Sequence, residues 1–166
     1  FIMNNLSNTE LNNVCLSILE AIEKDYNHYY PHVYFMFYYG VRIGETFNYS
    51  IAYDNNSSKI VIYPQKKNNP RMHNLIDSET LENLEKLHIK SDIFWINKRN
   101  LQRIIEKVNP YRKLYCGKKC IGAHIFRHNW VKQQLALGQQ IVNINGMLGY
   151  TWQNVGTSYA ISKIYY

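Results

Sequence analysis

A chain of 166 residues, 46% hydrophobic and only 19% charged, carries enough apolar side chain for one buried core, which excludes a disordered polyelectrolyte. Its 19 Lys and Arg against 12 Asp and Glu leave a net charge of +7. A basic surface over an apolar core makes nucleic acid the natural partner, although basic balance alone is weak evidence for one. Three cysteines make no disulfide framework and suit a reducing compartment. The chain starts at Phe1 with no charged-then-apolar signal segment and no apolar run of membrane-spanning length, so it reads as a cytoplasmic fragment. Nothing divides residues 1–166 into two domains.

Ser7 and Glu10 make a Ser-x-x-Glu capping box, and Leu11, Val14, Cys15, Ile18, Leu19 and Ile22 repeat at helical spacing, which predicts an amphipathic first helix. Pro31 suits the first turn of a second, very apolar helix through Tyr39, broken by Gly40 just before Arg42. Read alone, Arg42 caps that helix's last carbonyls and pairs with Glu45. From Ile51 to Ile76 the periodicity changes. Residues 59–63 are rich in β-branched side chains, 64–70 are turn-like, and 72–76 can return as a second strand, predicting a small antiparallel sheet with Lys66 and Lys67 at a hairpin tip. By itself such a tip is an ordinary solvated turn. Asp77 or Ser78 can cap a helix carrying Leu81, Leu84 and Leu87; Asn97 can cap another carrying Leu101, Ile104, Ile105 and Val108, ended by Asn109 and Pro110.

Residues 111–119 interleave Arg112, Lys113, Lys118 and Lys119 with Tyr111 and Tyr115, a mix suited to backbone phosphates. Cys116, Cys120, His124 and His128 follow at steps of four, the spacing of a zinc set. Along one helix, however, four such residues span about 18 Å, far beyond one tetrahedral site. The expectation is no metal. His124 and Arg127 are three residues apart, so on a helix they share a face and can reach one small anion together, a phosphate above all. Their helix runs to Gly138, and Ile141, Ile144, Met147 and Leu148 suggest a further short one ending at Gly149. That glycine permits a tight turn into Tyr150.

His-Ile-Phe-Arg-His at 124–128, Leu-Gly-Tyr at 148–150 and Thr-Ser-Tyr at 157–159 together resemble the C-terminal motif of the tyrosine recombinases, the phage-type integrases. Arg127 lies 32 residues and Tyr150 nine residues before Tyr159, as that pattern expects. The resemblance extends upstream. Tyr39-Gly-Val-Arg-Ile-Gly-Glu45 is similar to the family's Thr-Gly-Leu-Arg-x-x-Glu, and Lys66-Lys-Asn-Asn-Pro-Arg71 to the hairpin with the catalytic lysine. What the resemblance implies is a mainly α-helical α+β catalytic domain with a small antiparallel sheet, without the family's amino-terminal DNA-clamping domain and most of its C-terminal docking helix.

The resemblance also implies a chemistry. Arg42 and Arg127 hold the non-bridging oxygens of a DNA phosphate, Tyr159 attacks, Lys66 or alternatively Lys67 protonates the leaving oxygen, and His124 assists proton movement. Lys67, Arg71, Arg112, Lys113, Lys118 and Lys119 are the candidate DNA contacts. No cofactor is required. Position 150 holds histidine in most relatives and tryptophan in some; a tyrosine keeps a donor but offers no cation at neutral pH, so Tyr150 is open between catalysis and packing. The implied partner is double-stranded DNA, with the full-length protein assembled as a tetramer on paired sites, in the cytoplasm and associated with the nucleoid. A type IB topoisomerase, a telomere-resolving enzyme and a DNA-binding relative without cleavage are the alternatives.

Overall fold

The computed structural model describes residues 7–64, 69–110 and 122–149. Its centre is α2 (Tyr30–Tyr39), which buries Pro31, His32, Val33, Tyr34, Phe35, Met36 and Tyr39 and so presents apolar surface on every side. A helix of that kind must lie inside the domain. Three helices cover it: α1 (Asn8–Asp25), α3 (Glu79–Lys90) and α5 (Ile125–Ala136). Ser7 caps α1 by accepting the Glu10 amide at 3.1 Å, and Leu11, Val14, Cys15, Ile18, Leu19 and Ile22 are the buried stripe that the period predicts.

The far end of the chain closes against the near one. Cys15 Sγ donates to the Ile125 carbonyl at 3.7 Å, and Asn129 Nδ2 donates to Asn12 Oδ1 at 3.1 Å, so α5 lies along α1. The start of α3 is tied to α2 through hydroxyls. Tyr34 donates to Asp77 at 2.8 Å, and the Tyr39 and Thr80 hydroxyls stand 2.7 Å apart. Asp77 also accepts the Thr80 amide at 3.2 Å, and is therefore the capping residue of the pair Asp77 and Ser78. α4 (Lys98–Val108) begins at Asn97, whose side chain accepts the Asn100 amide, and its Leu101 and Ile105 join the core under α1.

The sheet has three antiparallel strands in chain order: β1 (Ile51–Asp54), β2 (Lys59–Ile62) and β3 (Arg71–Asn74). Ile51 faces Ile62 across the first pair, and Ile62 faces Arg71 across the second. β3 starts one residue earlier than the sequence suggests. Its inward residues are Arg71 and His73, while Met72 stands 46% exposed. This reverses the usual sidedness of a strand, and partners from elsewhere in the chain account for it. The last described helix, α6 (Ile141–Met147), packs on β3 and on α5, with Trp130, Val131, Ile144 and Leu148 forming a small apolar cluster of their own. The fold is the expected one: α+β, mainly helical, with a small antiparallel sheet. Among the described residues no helix is long and apolar enough to cross a membrane.

Candidate active site

Arg42 owes its position to the glycine before it. α2 ends at Gly40 with φ +67°, a left-handed turn that only glycine adopts without cost, and the chain passes through Val41 into a short 3₁₀ turn at Ile43–Thr46. A Cβ at Gly40 would lie 2.5 Å from Trp130 Cδ2, so the indole of α5 is pressed directly on this backbone. Trp130 stands three residues after Arg127. The contact therefore locks the turn of one arginine to the helix of the other.

Glu45 fixes that turn from within. Its Oε1 accepts the backbone N–H of Arg42 at 2.8 Å, and its two oxygens receive the guanidinium fork of Arg71 at 2.6 and 2.7 Å. Burial alone would raise the Glu45 carboxyl. The Arg71 hydrogen bonds and charge, the Arg42 amide and the Arg127 charge outweigh it and hold the group below its ordinary value, so it is a carboxylate. The expected pairing of Glu45 with Arg42 is thus realised through the Arg42 main chain. Arg71, expected to contact DNA, is buried at 5% exposure, and two of its donors are used by Glu45.

Arg127 sits in the first turn of α5, 3% exposed, and donates from Nη2 to the Leu148 carbonyl at 3.3 Å. His124 immediately precedes that helix as its N-cap residue. Its backbone is already helical and its carbonyl accepts the His128 amide at 3.1 Å, so it stands one turn before Arg127, exposed where Arg127 is buried. They remain close enough to interact. Crowding by protein, then the charges of Arg127 and Arg42, lower the pKa of His124, so its ring is neutral at pH 7 and can accept or donate a proton. The His128 ring packs edge-on against it with centroids 4.8 Å apart.

Two further contacts join β3 to the turn at Gly149. His73 Nε2 donates to the Met147 carbonyl at 2.8 Å, and the Asn69 amide donates to the Gly149 carbonyl at 3.0 Å. Gly149 itself has φ +79°, and a Cβ there would meet the Asn69 carbonyl at 2.8 Å. The main chain at Asn69, just before β3, therefore touches the main chain at Gly149. Lys66, Lys67, Arg112, Lys113, Lys118, Lys119, Tyr150 and Tyr159, like Cys116 and Cys120 of the zinc spacing, lie outside the described residues. Among the described residues no group of three His, Cys, Asp or Glu side chains converges on a metal position.

Sequence reasoning missed Glu45 as the hub of the site, and also Asn69, His73 and Trp130. One signal was available for His73, since period-two alternation puts it on the same face as Arg71. None marked Trp130, whose partner is a glycine 90 residues away.

The arrangement sets Arg42, the buried Arg127 and the neutral ring of His124 near one another beside the turn at Gly149. No family model matches the sequence, and no curated protein matches it. Among solved structures the fold is similar to the crystal structure of XerA recombinase, with a TM-score of 0.61 and 20% sequence identity. The match covers 89% of this chain and 56% of that one. At this identity the likeness is one of fold: the chain has a recombinase-like architecture and spans about half the length of that protein.

Proposed function

We propose that this chain is the catalytic domain of a site-specific DNA recombinase or integrase, which cuts and rejoins double-stranded DNA through a covalent tyrosine link. The observation that carries the reading is the convergence of Arg42 and Arg127. They are 85 residues apart in the sequence, yet the Gly40–Trp130 contact joins the elements that carry them and the charges of both reach the His124 ring. A phosphodiester is anionic and resists a nucleophile, so a site that cuts it must gather fixed cations where charge builds in the transition state.

In this reading the Tyr159 oxygen attacks phosphorus, the bond to the 5′ oxygen breaks, and a 3′-phosphotyrosyl link stores the bond energy. Lys66, or Lys67 in its place, gives the leaving oxygen its proton, and a free 5′-hydroxyl results. His124, neutral and at the open edge of the site, receives or relays the tyrosine proton. Attack by a second 5′-hydroxyl on the link restores a phosphodiester and frees the tyrosine, so the exchange is nearly isoenergetic. Arg112, Lys113, Lys118 and Lys119 contact the DNA backbone, and a tetramer on paired sites in the nucleoid-bearing cytoplasm is the working assembly.

The test is a library of nicked duplexes of randomised sequence, in which the short strand beyond the cut diffuses away and traps the adduct. Protein–DNA species resistant to detergent, mapped to Tyr159, support the reading. DNA binding without any adduct across the library overturns it in favour of a non-cleaving relative. Adducts that relax supercoiled DNA but never exchange strands between paired sites favour the topoisomerase alternative.

A further inference from the structure

The ion pair beneath the arginines joins more of the site than its two partners. Glu45 and Arg71 are buried and bonded fork to fork. Taking two charges out of water is costly, and apolar residues of similar volume commonly serve stability as well or better. Such a pair is better suited to setting geometry than to adding stability. Its reach is wide. The carboxylate holds the Arg42 amide at 2.8 Å and so sets the turn from which Arg42 projects. Arg71 opens β3 two residues after Asn69, whose amide is bonded to the Gly149 carbonyl. Gly149 lies so close over Arg71 that a Cβ there would come within 3.1 Å of Cδ and 3.3 Å of Nη1. One side chain at the start of β3 therefore reaches the Arg42 turn through Glu45 and lies against the turn at Gly149.

We infer that Arg71 is a positioning residue of the site: it binds no phosphate, and through Glu45 and Gly149 it fixes the spacing between the Arg42 turn, the start of β3 and the turn at Gly149. This inference rests on the strand-transfer reading above. Its signature is a loss of cleavage rate at saturating DNA, with affinity and folding unchanged, because misplacing reacting groups by an ångström costs rate, not phosphate contacts.

The experiment measures three quantities on the whole chain: thermal midpoint, affinity for intact duplex, and single-turnover adduct formation on nicked DNA. Arg71→Lys keeps the charge but cannot grip both Glu45 oxygens, and is expected to slow attachment about 10-fold with affinity within about 2-fold of the parent. Arg71→Met with Glu45→Gln removes both charges of the pair and keeps an oxygen for the Arg42 amide. It is expected to fold and to bind DNA, yet to attach about 100-fold more slowly. A double variant that attaches at the parental rate overturns the inference, as does an affinity loss with the rate unchanged, which would make Arg71 a phosphate contact. If the double variant does not fold, Arg71→Lys decides by the same criteria. A parent chain that forms no adduct brings down the strand-transfer reading and this inference together. A parent that attaches alongside a fully active double variant removes this inference alone.

Discussion

Replacing Gly40 by alanine should break the link between the two arginines in a measurable way. The left-handed backbone at φ +67° costs a residue with a Cβ about 1 to 2 kcal/mol. The new methyl would also lie 2.5 Å from Trp130 Cδ2 and 2.7 Å from Cε3 and Cγ, where carbon atoms normally keep about 3.5 to 4.0 Å. Trp130 is buried and cannot swing clear, so the overlap adds the usual overpacking cost of about 1 to 3 kcal/mol. The sum, about 2 to 5 kcal/mol, lowers the thermal midpoint of a chain this size by roughly 5 to 15 °C. Urea unfolding followed by far-ultraviolet circular dichroism separates the two parts. In a Trp130→Ala background the overlap is gone, so Gly40→Ala should cost only the backbone share, leaving a coupling of about 1 to 3 kcal/mol. An equal cost in both backgrounds would refute the reasoning, because the indole would then not be what the methyl meets.

Other outcomes follow from the same structure. Tyr159→Phe removes only the attacking oxygen and should abolish adduct formation while DNA affinity in a filter-binding assay stays within about 2-fold. Tyr150→Phe should leave slow but measurable cleavage, since losing one phosphate donor costs about 3 to 4 kcal/mol at most, and a mapped adduct at residue 150 would contradict both statements. Burial lowers the pKa of His32 to about 3 and of His73 to about 4, against 6.5 when unfolded. The unfolded chain therefore binds more protons between pH 4 and 6.5, and the stability present above pH 6.5 is lost as pH falls through that window. Between pH 7 and 5.5 the two rings should cost about 2 to 3 kcal/mol together, and a urea midpoint that does not move would rule this out. DNA binding by this chain should be weak and should fall steeply between 50 and 200 mM salt; unchanged nanomolar binding over that range would refute a phosphate-dominated contact.

The sequence made the local devices readable and the distant pairings unreadable. The Ser7 cap, the proline in the first turn of α2, the stop at Gly40 and the Asn97 cap are each decided within one turn of helix, and each is where the pattern puts it. β1 was visible only as a change of period, because a four-residue strand carries too little alternation to announce its own ends. Arg71 shows the limit most clearly. A basic residue beside two lysines reads as surface charge, and only a carboxylate 26 positions away turns it inward. The three-residue step from His124 to Arg127 is legible because helical backbone runs through both, but the letters do not say that Arg127 is the one covered and His124 the one exposed.

The closure of α5 onto α1 has a consequence for how a copy of this protein is made. The stripe of Leu11, Val14 and Ile18 is complete once α1 has been synthesised, but part of its cover comes more than a hundred residues later. At about 5 to 20 residues per second, the ribosome takes roughly 5 to 20 seconds to produce that cover. Throughout that interval the nascent chain shows apolar surface that a finished copy hides, which makes it a client for whatever holds unfolded chains apart. It also holds Arg42 without Arg127. Partly translated copies therefore lack the second of the two arginines, and a message cut short before the Arg127 codon leaves the α1 stripe without that part of its cover.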